Sequence, residues 1–186
     1  KLESLQNGTL YMNTLGYFRK KEEEEKNKGM GDKNEGSLPI TNINIKFYNR
    51  ETNKLVYEGP ALRCALTLAE DLQKHVFCLF YLDFSSLKII EEGTNYIKTL
   101  LTFTDEQIKD IEKSFGKYVL IISWADFLNK VKEAFNKENI EWCADKVKYC
   151  DFTINNQERI DDFLNNRTSK YFWKDKYFEN QKEYRI

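Results

Sequence analysis

This sequence of 186 residues has few of the side chains that build metal sites and disulfide frameworks. His75 is its only histidine, so a zinc site made of several histidines is excluded. The cysteines form no Cys-x-x-Cys pair and show no metal-ligand spacing; they are Cys64, Cys78, Cys143 and Cys150. Unpaired thiols are typical of a reducing compartment. We therefore predict a cytoplasmic protein that binds no metal.

An excess of charge of one sign and a long apolar run are also missing. The 29 Lys and Arg residues nearly balance the 30 Asp and Glu residues, whereas a protein that coats DNA needs many phosphate-neutralising side chains. No stretch approaches the roughly 20 apolar residues of a membrane helix, and no signal sequence is recognisable. The chain does not begin with Met, so we expect a short N-terminal segment to precede it. We predict one intracellular domain over residues 1–186, without membrane association.

What is present is an apolar and aromatic chain with strand signals. Hydrophobic residues make up 41%, including 13 Phe and 11 Tyr. Apolar and polar residues alternate over 43–47, and a turn at 51–54 leads to a return strand at 55–57, which predicts a hairpin. The apolar runs His75–Phe84 and Tyr118–Ser123 predict two buried strands, with Cys78 as a buried thiol and His75 as a core or capping residue.

Further local signals separate and flank these strands. Residues 1–6 have the pattern of the end of a helix, with Gly8 as its C-terminal stop, and residues 9–12 predict a short strand. A capping box at Thr104–Gln107 opens a helix, and apolar residues at helical spacing predict further helices over 124–135 and 160–164. The closing residues 183–186 predict a last strand. The order of elements favours an α+β fold with a mixed, mostly antiparallel sheet, intact or split, and flanking helices.

The charged stretch Lys20–Gly36 has no apolar period and contains glycines, so we predict a flexible loop. Within it, Asp32 and Glu35 have two interpretations. They are either a solvated loop tip, which is the simpler one, or carboxylates that bind a metal or act with Glu183.

Several short motifs, taken in order, resemble a widespread bacterial and phage family of unknown function. The opening of that family, with an "NDPfE" signature, is similar to Leu10–Asn13, Tyr17–Arg19 and Gly31–Gly36 of this chain. The middle and the "E.EyR" ending are similar to 115–120, 146–149, 174–178 and 181–186. The chain departs from the signature where Lys33 and Asn34 replace its Pro and Phe, and the first strand of the family is short or absent.

That family is in turn similar, at a distance, to ADP-ribosyltransferase-like domains, in which a split sheet grips NAD. Such domains often carry a Q/E-x-E motif with a key glutamate on a late strand, and Gln181-Lys182-Glu183 has this form. The resemblance implies that Glu183 and Gln181 are catalytic and that NAD is the cofactor. It also implies contacts to NAD, with pyrophosphate held by Arg19 or Arg185 and nicotinamide stacked on Tyr11, Tyr17 or Phe18.

Two plainer interpretations stand beside this one. Glu183 and Arg185 share one face of a strand, and on an edge strand they would form a surface ion pair of little energetic weight. The basic, aromatic segment 167–185 could bind single-stranded RNA or a nucleotide, or its aromatic residues could face inward under a rim of lysines.

The sequence leaves two functional hypotheses. The first is a nucleotide-handling domain, specifically an NAD-dependent ADP-ribosyltransferase-like protein of a bacterial defence, toxin or phage system. The alternative is a non-catalytic module that engages a partner protein or sequesters a small nucleotide. The oligomeric state stays open at this level.

Overall fold

Helices and short strands are interleaved along the computed structural model, which describes residues 2–25 and 31–186. The α-helices there are α1 (Leu2–Gln6), α2 (Leu15–Glu25), α3 (Asp105–Phe115), α4 (Trp124–Lys137) and α5 (Gln157–Leu164). The strands are β1 (Asn13–Thr14), β2 (Ser37–Tyr48), β3 (Leu55–Thr67), β4 (His75–Val76), β5 (Cys78–Phe80), β6 (Leu87–Glu92), β7 (Ile97–Leu101), β8 (Asp145–Lys146), β9 (Lys148–Cys150), β10 (Trp173–Asp175) and β11 (Glu183–Arg185). Short 3₁₀ helices cover Asp71–Gln73, Phe84–Ser86, Thr168–Phe172 and Lys176–Gln181. The predicted α+β class is confirmed.

The chain divides into two compact units, each assembled from separate stretches. Unit 1 comprises Lys1–Asn13, His75–Val147 and Asn180–Ile186. Unit 2 comprises Thr14–Lys74 and Lys148–Glu179. The prediction of one domain over residues 1–186 stays a prediction.

Unit 2 is dominated by the antiparallel hairpin of β2 and β3. Its register runs from Ser37 opposite Thr67 to Tyr48 opposite Leu55. The connecting turn places Asn53 at a φ of 52°, in the left-handed region that asparagine tolerates better than most residues. The predicted hairpin is therefore confirmed and is longer than the alternating pattern indicated. A second, smaller sheet in unit 2 pairs β9 and β10 in parallel.

Unit 1 contains a three-stranded antiparallel sheet in which β11 lies between β5 and β8. β6 and β7 form a separate antiparallel hairpin. α3 begins at the predicted capping box, because the Thr104 hydroxyl accepts from Gln107 N at 3.1 Å while the Gln107 side chain accepts from Thr104 N at 3.0 Å. The cap satisfies two of the backbone donors that a helix start leaves without intrahelical partners.

Two predicted strands are wrong. Residues 118–123 form no strand, and Tyr118 and Val119 are exposed rather than buried. Residues 9–12 are also irregular, and β1 begins only at Asn13. A strand needs a hydrogen-bonding partner elsewhere in the chain, and an apolar run contains no information about where that partner is.

Residues 20–25 of the predicted flexible loop at 20–36 are helical, whereas residues 31–36 lie outside the helices and strands. Residues 20–25 continue α2, and Lys20 and Glu24 form an ion pair at 3.4 Å, four residues apart on the helix. A β-carbon at Gly31 would collide with the backbone of Glu22, so this glycine permits a close approach to α2. Asp32 and Glu35 are buried rather than solvated. The remaining residues of this prediction, 26–30, lie outside the described part of the chain.

The interior of the described chain is unusually polar. Its buried residues include nine hydrophobic side chains and ten polar or charged ones. Burying a charge is costly unless the charge is paired and hydrogen-bonded, so such an interior needs specific partners at each position. Among the described helices, none combines the length and the apolar character needed to cross a membrane.

Candidate functional site

Glu183 and Arg185 form a buried ion pair on the central strand of unit 1. Successive side chains of a strand point to opposite faces, so residues 183 and 185 share a face of β11. Their exposed fractions are 5% and 2%, and Arg185 Nε donates to Glu183 Oε1. On β5, Phe80 lies opposite Glu183 and Cys78 lies opposite Arg185. The interpretation as a surface ion pair on an edge strand is therefore wrong on both counts.

The opposite face of β11 carries Tyr184 and is aromatic. The Tyr184 ring packs edge-on against Trp124 of α4, with 4.3 Å between centroids. Desolvation, and to a smaller extent the nearby Asp145 carboxylate, raise the pKa of Tyr184 above its usual value. This packing fixes the orientation of β11 and hence of the charged pair on its other face.

Lys182 precedes this strand in a backbone conformation that is uncommon for lysine. Its φ is 37°, in the left-handed region where a side chain is crowded. Its ammonium group donates to Ser85 Oγ at 2.8 Å and Ser86 Oγ at 3.0 Å, and lies 3.3 Å from Asp83 Oδ1. We refer to Lys182, Asp83, Ser85 and Ser86 as the lysine clamp. The clamp holds the backbone between Gln181 and Glu183 in place.

Asp83 is the acidic member of the lysine clamp. Its Oδ1 accepts from the Ser85 hydroxyl at 2.5 Å and from Ser85 N at 3.0 Å. The pKa of Asp83 is lowered from 3.8 to about 2. The main cause is the hydrogen bond from the Ser85 hydroxyl, and the hydrogen bond and charge of Lys182 contribute further. Asp83 therefore stays ionised well into the acid range and remains a partner for Lys182.

The sequence-predicted site residues are divided between the two units. Glu183, Arg185, Gln181 and Tyr11 belong to unit 1, and the structure brings Glu183 and Arg185 together. Gln181 ends the 3₁₀ helix Lys176–Gln181, and the left-handed Lys182 breaks the strand alternation that would align Gln181 with Glu183. Tyr11 is more than half exposed.

Tyr17, Phe18 and Arg19 lie on α2 in unit 2. Arg19 Nη1 donates to Ser37 Oγ at 3.1 Å and to Thr67 Oγ1 at 3.0 Å. These bonds tie α2 to the base of the β2–β3 hairpin. The Tyr17 and Phe18 rings pack edge-to-face, 5.4 Å apart.

Unit 2 contains a buried charged cluster that the sequence analysis missed. Lys170 Nζ lies 2.8 Å from Asp71 Oδ2, with both side chains 2% exposed, and donates to Asn166 Oδ1 at 2.5 Å. The Tyr171 hydroxyl donates to Asp71 Oδ1 at 2.7 Å. A lysine and an aspartate about 100 positions apart carry no sequence signal of their pairing, because nothing local distinguishes them from surface charges.

Arg159 of α5 is a second buried cation in unit 2. It donates to the carbonyl oxygens of Pro39 at 2.9 Å and Ile154 at 3.2 Å, and its guanidinium lies 4.5 Å from the centre of the Phe152 ring. Burial lowers its pKa, as expected for a charge removed from water. Its bonds to two carbonyls of separate segments mark it as a structural crosslink.

The basic, aromatic segment 167–185 buries two of its lysines together with two of its aromatic residues. Phe172 and Phe178 are buried, as the inward-facing interpretation requires, but Lys170 and Lys174 are buried too. Lys174 Nζ lies 4.6 Å from the centre of the Phe178 ring. These lysines therefore do not form a solvated rim, nor are they displayed for an RNA backbone.

The structure tests the predictions for the cysteine and histidine environments, and the expectation that no metal is bound stays a prediction. Among the described residues, no group of three or more potential ligands is arranged to hold a metal ion. Cys78 and His75 are exposed, so the predicted buried thiol and the core alternative for His75 are wrong, while the capping alternative for His75 stays a prediction. Burial raises the pKa of Cys150, which makes it a poor nucleophile.

Comparison of the chain with family models, with curated proteins and with solved structures finds no match. The resemblance to the bacterial and phage family therefore stays a prediction, and the site must be judged on its own geometry.

Proposed function

We propose that unit 1 handles a nucleotide, specifically NAD, in an ADP-ribosyltransferase-like reaction of a bacterial defence, toxin or phage system. The observation that carries the proposal is the left-handed backbone of Lys182 between Gln181 and Glu183. Strained backbone persists only where surrounding contacts enforce it, and it clusters at functional sites. Here the lysine clamp enforces it. The choice of NAD rests on the Q-x-E resemblance and not on the clamp.

The ion pair holds the Glu183 carboxylate in a fixed position that suits this reaction. Arg185 Nε hydrogen-bonds to the carboxylate inside the unit. A fixed negative charge in a water-poor site stabilises the positive charge that develops at the ribose C1′. That charge appears as the bond from C1′ to the nicotinamide nitrogen breaks and nicotinamide leaves with the bonding electrons. An acceptor nucleophile then bonds to C1′ and loses its proton.

This assignment changes the role of Arg185 from a pyrophosphate ligand to a positioning residue. Its Nε is engaged with Glu183, and only 2% of the residue is exposed. Since Glu183 is itself only 5% exposed, a ribose hydroxyl reaches the carboxylate once the groups that cover it move aside. Gln181 remains the candidate for orienting the nucleophile. The contacts of Tyr17, Phe18 and Arg19 with NAD stay predictions.

Nicotinamide release from NAD tests the proposal, with Glu183→Gln as the main variant. Glutamine keeps the volume and an oxygen acceptor for Arg185 but removes the negative charge. We expect release to fall by about 10²–10³-fold, as when one charge-stabilising group is removed from other enzymes. Glu179→Gln is the matched control, because Glu179 is an exposed acid in the preceding 3₁₀ helix. Absence of release by the wild type, or equal rates in wild type and Glu183→Gln, would contradict the enzymatic proposal.

The second candidate is the non-catalytic module, and the burial of Glu183 favours it. A carboxylate already paired with Arg185 at 5% exposure is satisfied without a substrate. In this case the charged pair holds β11 in place while the unit binds a nucleotide or a partner protein without turnover.

A thermal-shift panel of nucleotides distinguishes the candidates. A ligand that binds the folded state raises the midpoint of unfolding, whether or not it reacts. A rise with NAD and no nicotinamide release indicates sequestration. No rise with any nucleotide leaves partner-protein binding as the supported function.

A further inference from the structure

Asp145 of β8 places a second carboxylate beside Arg185. In the antiparallel register of β8 and β11, Asp145 is directly opposite Arg185. Residues that are opposite each other in an antiparallel pair share a face of the sheet, with their β-carbons about 4.5–5.5 Å apart. Asp145 therefore lies on the face that carries Glu183 and Arg185, one strand away and within reach of a long arginine side chain.

The Asp145 carboxylate is exposed and is held by one local hydrogen bond. The backbone N–H of Lys146 donates to its Oδ1 at 2.7 Å. In the part of the chain that the structure describes, no lysine or arginine forms an ion pair with Asp145. An exposed negative charge thus stands next to a buried arginine that is paired with a different acid.

Glu183, the acid that does pair with Arg185, is enclosed by apolar neighbours. Phe80 lies opposite Glu183 on β5 and packs against Phe103, with 5.7 Å between ring centroids. On the other side, the N–H of Val147 donates to the carbonyl oxygen of Glu183 at 2.9 Å, and Val147 is buried. A buried cation that leaves its carboxylate needs another partner, so access to Glu183 requires a second anion for Arg185.

We propose that Asp145 is a positioning residue that accepts Arg185 from Glu183 and thereby opens the Glu183 carboxylate to a ligand. A guanidinium carries five N–H donors in a planar fork, so an arginine can turn from one carboxylate to another and stay paired. The open arrangement is a minor state of the free protein that the ligand selects. The inference rests on the proposed function, since that ligand is the nucleotide whose ribose hydroxyl replaces Arg185 at Glu183.

A double-mutant cycle in urea unfolding tests the exchange of partners without any ligand. In Glu183→Gln, Arg185 loses the charge of its first partner and should turn to Asp145. Asp145→Asn alone should change the unfolding equilibrium constant little, because Arg185 stays with Glu183. The double variant leaves Arg185 without either carboxylate. Its unfolding equilibrium constant should therefore rise by about tenfold more than the product of the two single-variant increases.

Carbodiimide labelling with an amine measures access to the Glu183 carboxylate. The reagent converts accessible carboxyl groups to amides, and peptide mass spectrometry follows the conversion at each acid. The rate at Glu183 should fall by about tenfold in Asp145→Asn, because the open state loses its second partner and becomes less populated. Asp145→Glu keeps a carboxylate and should retain the wild-type rate. Asp110→Asn, which removes an exposed acid of α3 in the same unit, is the matched control and should also retain it.

The kinetics of nicotinamide release distinguish a positioning residue from a catalytic one. Asp145→Asn should raise KM for NAD by about tenfold and leave kcat within about twofold. Fewer molecules are then competent to bind, whereas the chemistry at Glu183 is unchanged once NAD is bound. Glu183→Gln should instead lower kcat, because it removes the charge that stabilises the transition state.

The possible results separate this inference from the proposed function. If the wild type releases no nicotinamide, the NAD reaction is wrong, and the unfolding cycle and the labelling still decide the role of Asp145. Single-variant increases that simply multiply, or equal labelling of Glu183 in Asp145→Asn and wild type, would show that Asp145 does not accept Arg185. An unchanged KM in an active Asp145→Asn would also overturn the proposal. So would a large loss of stability in Asp145→Asn alone, because Asp145 would then hold Arg185 already in the free protein.

Discussion

At the residue scale, the interior of each unit contains buried charges that are paired with named partners. Glu183 and Arg185 are adjacent on one face of β11, and neither has much access to water. The i, i+2 spacing of an acid and a base on a strand predicted that they share a face. It could not predict burial, because the same spacing occurs on edge strands and on central ones.

Arg185→Met should strongly destabilise the protein, because it leaves Glu183 as a buried charge without this partner. Breaking a buried ion pair from one side costs about 3–5 kcal/mol in comparable cases. The free energy of unfolding in urea measures the loss. The double variant Glu183→Gln/Arg185→Met should recover part of it, and a double variant as unstable as the sum of both single variants would contradict the coupling.

Asp83 should make the stability of unit 1 depend on pH in the acid range. Its pKa is about 2 in the folded protein against an ordinary 3.8, so unfolding favours protonation. The stabilising contribution is complete above about pH 4 and is lost as the pH falls toward 2. Unfolding free energies measured over this interval should show a shallower pH dependence for Asp83→Asn than for the wild type. The exposed Asp110→Asn serves as the control, and an unchanged slope in Asp83→Asn would show that the lysine clamp does not form.

At the scale of elements, local signals predicted α3 and the β2–β3 hairpin but not α2 or the course of residues 118–123. The capping box at Thr104 predicted α3 correctly, because both of its hydrogen bonds lie within four residues. α2 was not predicted, because its Lys and Glu residues have high helix propensity but show no apolar period. The segment 118–123 has strand propensity, but strand formation depends on a partner that the apolar run does not identify.

The 3₁₀ helices Asp71–Gln73 and Thr168–Phe172 are held together in unit 2 by Asp71. Tyr171→Phe removes the hydroxyl that donates to this buried carboxylate. We expect a loss of about 1.5–3 kcal/mol in the free energy of unfolding, as for a hydrogen bond to a charged group. Tyr48→Phe on β2 is the control, because Tyr48 is half exposed. Equal stability of the two variants would show that the Lys170 ion pair alone holds Asp71.

At the scale of the whole molecule, the sequence predicted the fold class but not the polar interior. Balanced charge and 41% hydrophobic residues are ordinary values, and they give no indication that ten described polar or charged residues are buried. Pairings such as Asp71 with Lys170 join residues about 100 positions apart. These pairings exist only in the folded chain. The sequence could therefore predict the Q-x-E motif of the candidate site but not the residues that surround it.

Titration of the ¹⁵N-labelled protein with NAD, followed through its amide resonances, tests the central claim most directly. If Glu183 faces a bound nucleotide, the amides of Lys182, Glu183 and Tyr184 should shift in a saturable manner. Glu183→Gln should weaken these shifts while Glu179→Gln leaves them unchanged. The absence of shifts at millimolar NAD, or saturable shifts confined to residues far from β11, would contradict the assignment of this strand as the nucleotide site.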